Sequence, residues 1–283
     1  MALNSVNTNV TASIALASLE LTNSQLSSVQ KQVSTGYRVA DAVDDGAAYA
    51  IAQRVRSDVG ALSAANTQLG DVQGLLSTTV SSLNDVSNTL NSARDVLIQL
   101  ASSNTESNQR TQYIAQYQSY VANIKNFFEE AAYNGKTLIG NITGSTGTYG
   151  EVNVVQDEAG ATYGIASYSG SGFYNSINFS TANLTNATTV STYITATGTF
   201  INQLNDLGTQ LNYYGSTTKY VTNQVSYNSD KITALNDGLG SLVDADLAQE
   251  SAQLQALQIR QQLGTQSLSI ANQAPQSLLS LFK

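Results

Sequence analysis

Apolar residues recur every seven positions over a long stretch of the first half of the chain. A second set stands three places after members of this series. Apolar residues at this spacing form one stripe along a helix that packs against partner helices. The pattern therefore predicts a long helix, of roughly 60 Å between Ala61 and Leu100 at about 1.5 Å per residue. The two sets are Val55, Leu62, Leu69, Leu76, Leu83, Leu90 and Leu97, and Val72, Val86, Ala93 and Leu100.

Two further stretches carry the same spacing and predict two more long helices. The predicted fold class is mainly α: an elongated helical bundle or coiled coil, in which the helix before residues 102–109 turns back into the next. The first stretch has Tyr113, Tyr120 and Phe127, and the second has Tyr193, Phe200, Leu207, Tyr214 and Val221.

Both ends of the chain carry helical apolar stripes but almost no charge. Glu20 is the only charged residue between positions 1 and 30, and Arg260 is the only one between 251 and 282. Ordering a backbone costs about 1–2 kcal/mol per residue, whereas burying one leucine returns about 1.5–3 kcal/mol. We expect these ends to be loose alone and ordered only when packed.

Residues 137–189 differ from the predicted helices, because Gly, Ser, Thr and Asn dominate and no Lys or Arg occurs there. Val152, Val154 and the run 162–167 predict a small β-hairpin that turns at 157–160. The rest reads as a surface excursion. The predicted division is a terminal helical pair (1–36 and 245–283), a heptad-patterned rod (37–136 and 190–244) and a short variable surface segment (137–189).

Composition narrows the possible chemistry. The chain contains no Cys and no His, so disulfides, Cys or His metal sites and His- or Cys-based catalytic triads are excluded. The net charge of −8 and pI near 4.4 disfavour binding to nucleic acid. We predict no enzymatic activity, no cofactor and no metal.

Short polar motifs predict helix ends. Asp41, Asp44 and Asp45 stand together, but the alternating ligands and closing Glu of a calcium loop are missing, so an Asp that caps a helix near Ala47 is favoured. In "VDADLAQES", Asp246 predicts the start of the last helix. Gly36 predicts a left-handed helix stop.

No apolar run is long enough to span a membrane, and no basic region precedes the apolar residues of the start. Neither membrane insertion nor a cleaved signal peptide is expected. By itself, this pattern would indicate a cytoplasmic protein.

Both ends of the chain resemble bacterial flagellin, the subunit of the flagellar filament. The resemblance is carried at the start by "MALNSVNTN", "VSTGYRVADAVDDGAAYAIAQRV" and "LNDVSNTLNSARDVLIQLASS", and then by the turn in "AAYNGKTLIG". At the other end it runs through "VDADLAQESAQLQALQIRQQLGTQSLSIANQAPQSLLSLFK". The "MALNS" opening and the composition are similar to the short alphaproteobacterial type.

The resemblance implies a structural subunit that polymerises with itself and is exported unfolded by the flagellar type III apparatus without a cleaved signal. The resemblance therefore implies an extracellular location instead of a cytoplasmic one. The implied partners are an export chaperone, the export apparatus, and hook-associated junction and cap proteins. The terminal helices would line the core of the filament. The implied self-assembly residues are Leu19, Leu26, Val29, Val33, Leu254, Leu257, Leu268, Leu278, Leu279, Leu281 and Phe282.

A second implication concerns the stretch "LNSARDVLIQ". In many enteric flagellins this stretch carries two arginines and is read by a vertebrate Toll-like receptor. Here Leu90, Arg94 and Asp95 are present, but Ser92 stands where the first arginine would be. We expect weakened recognition.

Two other functions remain as alternatives. A hook–filament junction protein shares the terminal helices of flagellin. A secreted membrane-active protein would also have amphipathic, charge-poor ends, but such helices usually carry Lys or Arg on the polar face.

Overall fold

The computed structural model describes residues 8–281, and side chains through residue 273. It is mainly α-helical, as predicted. The helices are α1 (Val10–Thr35), α2 (Gly46–Ala101), α3 (Ser107–Glu130), α4 (Gly170–Ile177), α5 (Thr181–Thr185), α6 (Ala187–Tyr193), α7 (Thr199–Val243) and α8 (Leu247–Leu281). The strands are β1 (Lys136–Thr137), β2 (Thr148–Tyr149), β3 (Val152–Val155) and β4 (Thr162–Ile165).

The chain forms two compact units. The first comprises the residues up to Asp58 and from Ala234 onward, and the second comprises Val59–Thr233. The predicted three-part division, with boundaries near 36, 136, 190 and 244, stays a prediction.

The helix ends follow the predicted polar motifs. α1 ends where Gly36 adopts a φ of 74° and its N–H bonds the carbonyl of Gln32. The carboxylate of Asp45 accepts from the N–H groups of Ala47 and Ala48, both at 3.0 Å. Asp246 does the same for Ala248 and Gln249, at 3.0 and 3.2 Å. The cap interpretation of these aspartates is confirmed, and each satisfies N–H groups that a helix start leaves without partners.

The seven-residue series of α2, from Leu69 to Leu97, lies in the core of the second unit. Its leucines from Leu62 to Leu97 are all fully buried. α3 packs on the same core through Ile114, Tyr117, Val121, Ile124 and Phe128. The heptad prediction is confirmed for these leucines of α2. In α3, the predicted series of Tyr113, Tyr120 and Phe127 is only half-buried and packs against the edge of this core.

One predicted series is interrupted. Tyr193 ends α6, whereas Phe200 lies in α7, so the two residues do not share a helix. The turn between them holds Gly198 so tightly that a Cβ there would lie 2.2 Å from the carbonyl oxygen of Tyr193. Tyr193 instead stacks on Phe179, with ring centroids 3.8 Å apart.

The predicted hairpin is present. β3 and β4 pair antiparallel, with Val152 opposite Ile165, and Gly160 has a φ of 82° in the turn. The hairpin tip contacts α7, because the carbonyl of Gln156 accepts from the side-chain amides of Gln224 and Asn228, at 3.1 and 2.9 Å.

The description of residues 137–189 as a surface excursion is wrong for much of this segment. Its apolar side chains join the core of the second unit from the chain after β1, from the strands β3 and β4, and from the short helices α4 and α5. The buried set is Leu138, Ile139, Val152, Val154, Ile165, Phe173, Ile177 and Leu184.

Two tyrosines of the long helices bind residues 137–189 through hydrogen bonds to backbone carbonyls. The Tyr117 hydroxyl donates to the carbonyl of Ile177 at 2.6 Å, and the Tyr214 hydroxyl donates to that of Ala166 at 3.0 Å. Burial raises the pKa of both phenols. Because the folded chain keeps both protonated while the unfolded chain ionises near pH 10, stability is full below pH 10 and is lost as pH rises above it.

We therefore expect the free energy of unfolding to fall above pH 10, by up to about 1.4 kcal/mol per pH unit for each phenol. Urea unfolding between pH 9 and pH 11.5 measures this slope. Burial and the bond to Asp206 also raise the pKa of Tyr168, so the Tyr117→Phe variant should lose about a third of the slope. An equal slope in that variant would show that Tyr117 does not titrate as described.

Among the described residues, no helix is both long and apolar enough to cross a bilayer.

Candidate functional site

The two terminal helices, α1 and α8, pair within the first unit. Leu26, Val29 and Leu257 are buried between them, and Val33 and Leu254 pack against this cluster. The pairing uses the stripes that the sequence pattern identified on both helices. A helix of this composition gains its stability from such packing rather than from its own propensity.

Polar groups set the register of the pair along its length. Gln261 Nε2 donates to Asn23 Oδ1 at 2.7 Å, and Asn9 Nδ2 donates to the carbonyl of Ala271 at 2.8 Å. Gly264 allows close approach, since a Cβ there would lie 3.1 Å from Leu19 Cδ1.

Within one chain, the described members of the predicted self-assembly set are buried or half-buried. Leu26, Val29 and Leu257 are buried, and Leu19, Val33, Leu254 and Leu268 are half-buried. The side chains of Leu278, Leu279 and Leu281, and the whole of Phe282, lie outside the described residues. That these residues contact other copies stays a prediction.

The structure exposes a second apolar set on the same two helices, which the sequence reasoning missed. Each member is 47–68% exposed. Its signal was present in the sequence, because Ile14 and Leu21, like Leu263 and Ile270, stand seven apart. The set is Val10, Ile14, Leu16 and Leu21 on α1, and Leu247, Ile259, Leu263 and Ile270 on α8.

Charge is sparse on this pair. The charged residues of the two helices are Glu20 and Lys31 in α1, and Glu250 and Arg260 in α8. Apart from these few charges, the outward faces of the described residues are apolar or uncharged polar. Large apolar side chains left exposed in this way mark an interaction surface.

The stretch that resembles a receptor-binding segment lies in α2. Leu90 is fully buried in the core, whereas Arg94 and Asp95 are exposed. Ser92 is half-buried, and its hydroxyl donates to the carbonyl of Asn88 at 3.2 Å. Only part of this stretch is thus available to a partner of the folded chain.

Comparisons with known proteins agree with this architecture. Residues 6–143 match the bacterial flagellin N-terminal helical region, and residues 194–282 match the bacterial flagellin C-terminal helical region. A flagellin of Brucella melitensis is 32% identical over 99% of both chains. The flagellin FljK of Caulobacter vibrioides is 33% identical over the full length of both.

A solved structure described as a flagellar hook-associated protein of Vibrio parahaemolyticus shares the fold at 15% identity. Its TM-score is 0.59, covering 71% of this chain and all of the other. The resemblance to the alphaproteobacterial type is confirmed by the organisms of the similar flagellins. With both terminal regions matched and relatives aligned end to end, the chain belongs to the bacterial flagellin family.

Proposed function

We propose that this chain is the structural subunit of a flagellar filament, a helical homopolymer used for swimming. The observation that carries the proposal is the α1–α8 pair, which buries one apolar face within the chain and leaves further large apolar side chains exposed on both helices. A surface of this kind is stabilised when other copies cover it. Contacts between unlike patches produce an open helical assembly when the rotation does not close.

Polymerisation of the purified chain on fragmented filaments tests this proposal. We expect continuous elongation, with a critical concentration at least tenfold higher for a variant that combines Ile259→Asn and Ile270→Asn. Each substitution removes an apolar side chain that burial would stabilise by about 1.5–3 kcal/mol. Both residues are exposed in the single chain, so its helix content should not change.

The matched control combines Ile259→Val and Ile270→Val, which keeps the surface apolar and should polymerise nearly as the unmodified chain does. Failure of the unmodified chain to extend filaments would contradict the proposal. Elongation that stops after a few copies would favour the hook–filament junction alternative.

We further propose that the chain leaves the cell unfolded through the flagellar type III apparatus, escorted by an export chaperone and without a cleaved signal. Its filament would meet the hook-associated junction and cap proteins at its two ends. The absence of cysteine supports this route, because a disulfide-linked chain could not pass extended through a narrow channel. Intact mass of secreted protein that retains Met1 or Ala2 would support the uncleaved start, and a shorter mature chain would contradict it.

Recognition by the vertebrate flagellin-sensing receptor should be weak. Ser92 offers neither the forked donor nor the long stem of an arginine, and Leu90 is buried. We expect the Ser92→Arg variant to raise the potency of the monomer in a reporter-cell assay at least tenfold, the size of a typical arginine hot spot. Full potency of the unmodified monomer would contradict the prediction.

A further inference from the structure

The loop between α1 and α2 presents an apolar side chain to solvent. This loop covers residues 37–45, and Val43 near its tip is 93% exposed, the highest value among the exposed large apolar side chains of the described residues. None of the described residues of the single chain covers it. An apolar side chain displayed so fully is suited to insertion into a partner.

An ion-pair clamp joins the loop to α1. Lys31 Nζ lies 2.7 Å from a carboxylate oxygen of Asp41 and 2.7 Å from one of Asp44. Asp41 also accepts from the N–H of Val43 at 2.8 Å, and Asp44 accepts from that of Ala40 at 3.0 Å. The Lys31 ammonium lowers the pKa of both carboxyls, so the clamp is formed at neutral pH.

The base of the loop is also fixed. The N–H groups of Arg38 and Val39 donate to the carbonyl of Val243, at 2.8 and 3.3 Å. The Val39 side chain is buried with Ala52 and Val243. Because the loop is ordered before any partner arrives, little conformational entropy remains to be lost when Val43 is buried.

A cavity of about 200 Å³ lies in the same unit, between α1 and α8. Leu19 and Leu263 supply its large apolar side chains, Ser18, Thr22 and Ser267 supply hydroxyl groups, and Gly264 lies in close contact with Leu19. Leu263 is 58% exposed at this cavity. Arg260 is the one charged residue in its lining.

The loop cannot fill the cavity of its own chain. Its clamp holds it beside Lys31, which stands twelve residues along α1 from Leu19, or about 18 Å at 1.5 Å per residue. Charge favours the loop of a second copy, because the loop and its clamp carry Asp41, Asp44 and Asp45 against Lys31 and Arg38, a net charge of −1, and Arg38 lies at the base of the loop rather than beside Val43. Arg260 would attract this negative loop to the cavity.

We propose that Val43 of one copy inserts into the α1–α8 cavity of the next copy in the polymer. The contact joins two different patches of the chain, so each copy offers one loop and one cavity, and the assembly is an open helix when the rotation does not close. This inference deepens the proposed function and rests on it.

Disulfide trapping tests the contact directly, because the natural chain contains no cysteine. A chain with Val43→Cys is mixed with a chain with Leu263→Cys, polymerised under reducing conditions and then oxidised. We expect most chains to run as one crosslinked dimer species. A single chain carrying both substitutions should give a ladder of multimers in filaments and remain uncrosslinked as dilute monomer.

The matched control pairs Val43→Cys with Ile270→Cys. Ile270 is also exposed on α8 but stands seven residues from Leu263, about 10 Å away, beyond the reach of a disulfide. Filaments that show no dimer for the Leu263 pair, or equal dimer for both pairs, would overturn the inference. If the unmodified chain does not form filaments, the proposed function fails instead.

A second measurement needs no thiol. Val43→Ser should raise the critical concentration for polymerisation about tenfold, because the buried apolar side chain is lost. The melting temperature of the monomer should stay the same, since Val43 is exposed there. An unchanged critical concentration would refute the insertion of Val43 even where filaments form.

Discussion

Replacing Phe173 with alanine is expected to lower the free energy of unfolding by about 3–5 kcal/mol. Phe173 is 2% exposed, and its ring centroid lies 5.4 Å from that of Phe128 in α3. Truncation would remove this aromatic contact and leave a cavity that the surrounding helices can close only in part. Urea unfolding followed by circular dichroism at pH 7 measures the change.

Tyr227→Ala serves as the matched control for an aromatic truncation in the same unit. Tyr227 is 59% exposed, and its loss should change stability by less than about 0.5 kcal/mol. If Phe173→Ala cost as little as this control, Phe173 would not be part of the core. Residues 137–189 would then be a surface excursion after all.

The Asn228→Asp substitution is expected to cost about 3–5 kcal/mol at pH 7. Asn228 is fully buried, and its Nδ2 donates to the carbonyl of Gln156 and to Asn66 Oδ1, both at 2.9 Å. A carboxylate at this position would turn an oxygen toward two acceptors with no hydrogen to share. The loss would remove the link between Asn228 and Asn66 in α2 and one of the two amide links between α7 and the hairpin tip.

The pH dependence of this variant has a definite sign. Burial disfavours the charged form, so the folded pKa of the introduced carboxyl would lie above its unfolded value of about 4. The protonated form stabilises the fold most fully below pH 4, and this stabilisation is lost as pH rises through the folded pKa. The deficit relative to the natural chain should therefore be smallest near pH 4 and largest at pH 7.

Asn223→Asp is the control on the same helix. Asn223 is exposed, so an added charge there should cost less than about 0.5 kcal/mol at either pH. Equal stability of the two variants at pH 7 would contradict the assignment of a buried amide network between α2, α7 and the hairpin.

Local patterns in the sequence were sufficient to predict the long helices and their ends. The leucines of α2 repeat over many turns, so their period distinguishes helix from strand without any tertiary information. Gly36, Asp45 and Asp246 act on backbone groups within four residues of themselves. Gly36 and Asp246 were predicted by position, and the cap near Ala47 was predicted without a choice among its three aspartates. The hairpin of β3 and β4 was predicted for the same reason, since alternation and a turn are local signals.

Local sequence patterns did not predict the short helices α4, α5 and α6. α4, α5 and α6 contain 8, 5 and 7 residues, too few to show a helical period, and their polar composition resembles that of a loop. Only packing against α3 turns Phe173 and Ile177 inward. The break at Gly198 was likewise hidden, because Tyr193 and Phe200 keep the seven-residue spacing across it.

The sequence by itself determined which helices form and that both ends carry apolar stripes, because periodicity, capping and turn chemistry act between near neighbours in the chain. The tertiary structure decided which apolar residues are buried within the chain, such as Leu26 and Leu257, and which remain exposed, such as Ile14 and Ile270. It also brought together Asn66, Gln156 and Asn228, which are far apart in sequence. Burial depends on contacts between distant segments, and no spacing along one helix specifies its partner.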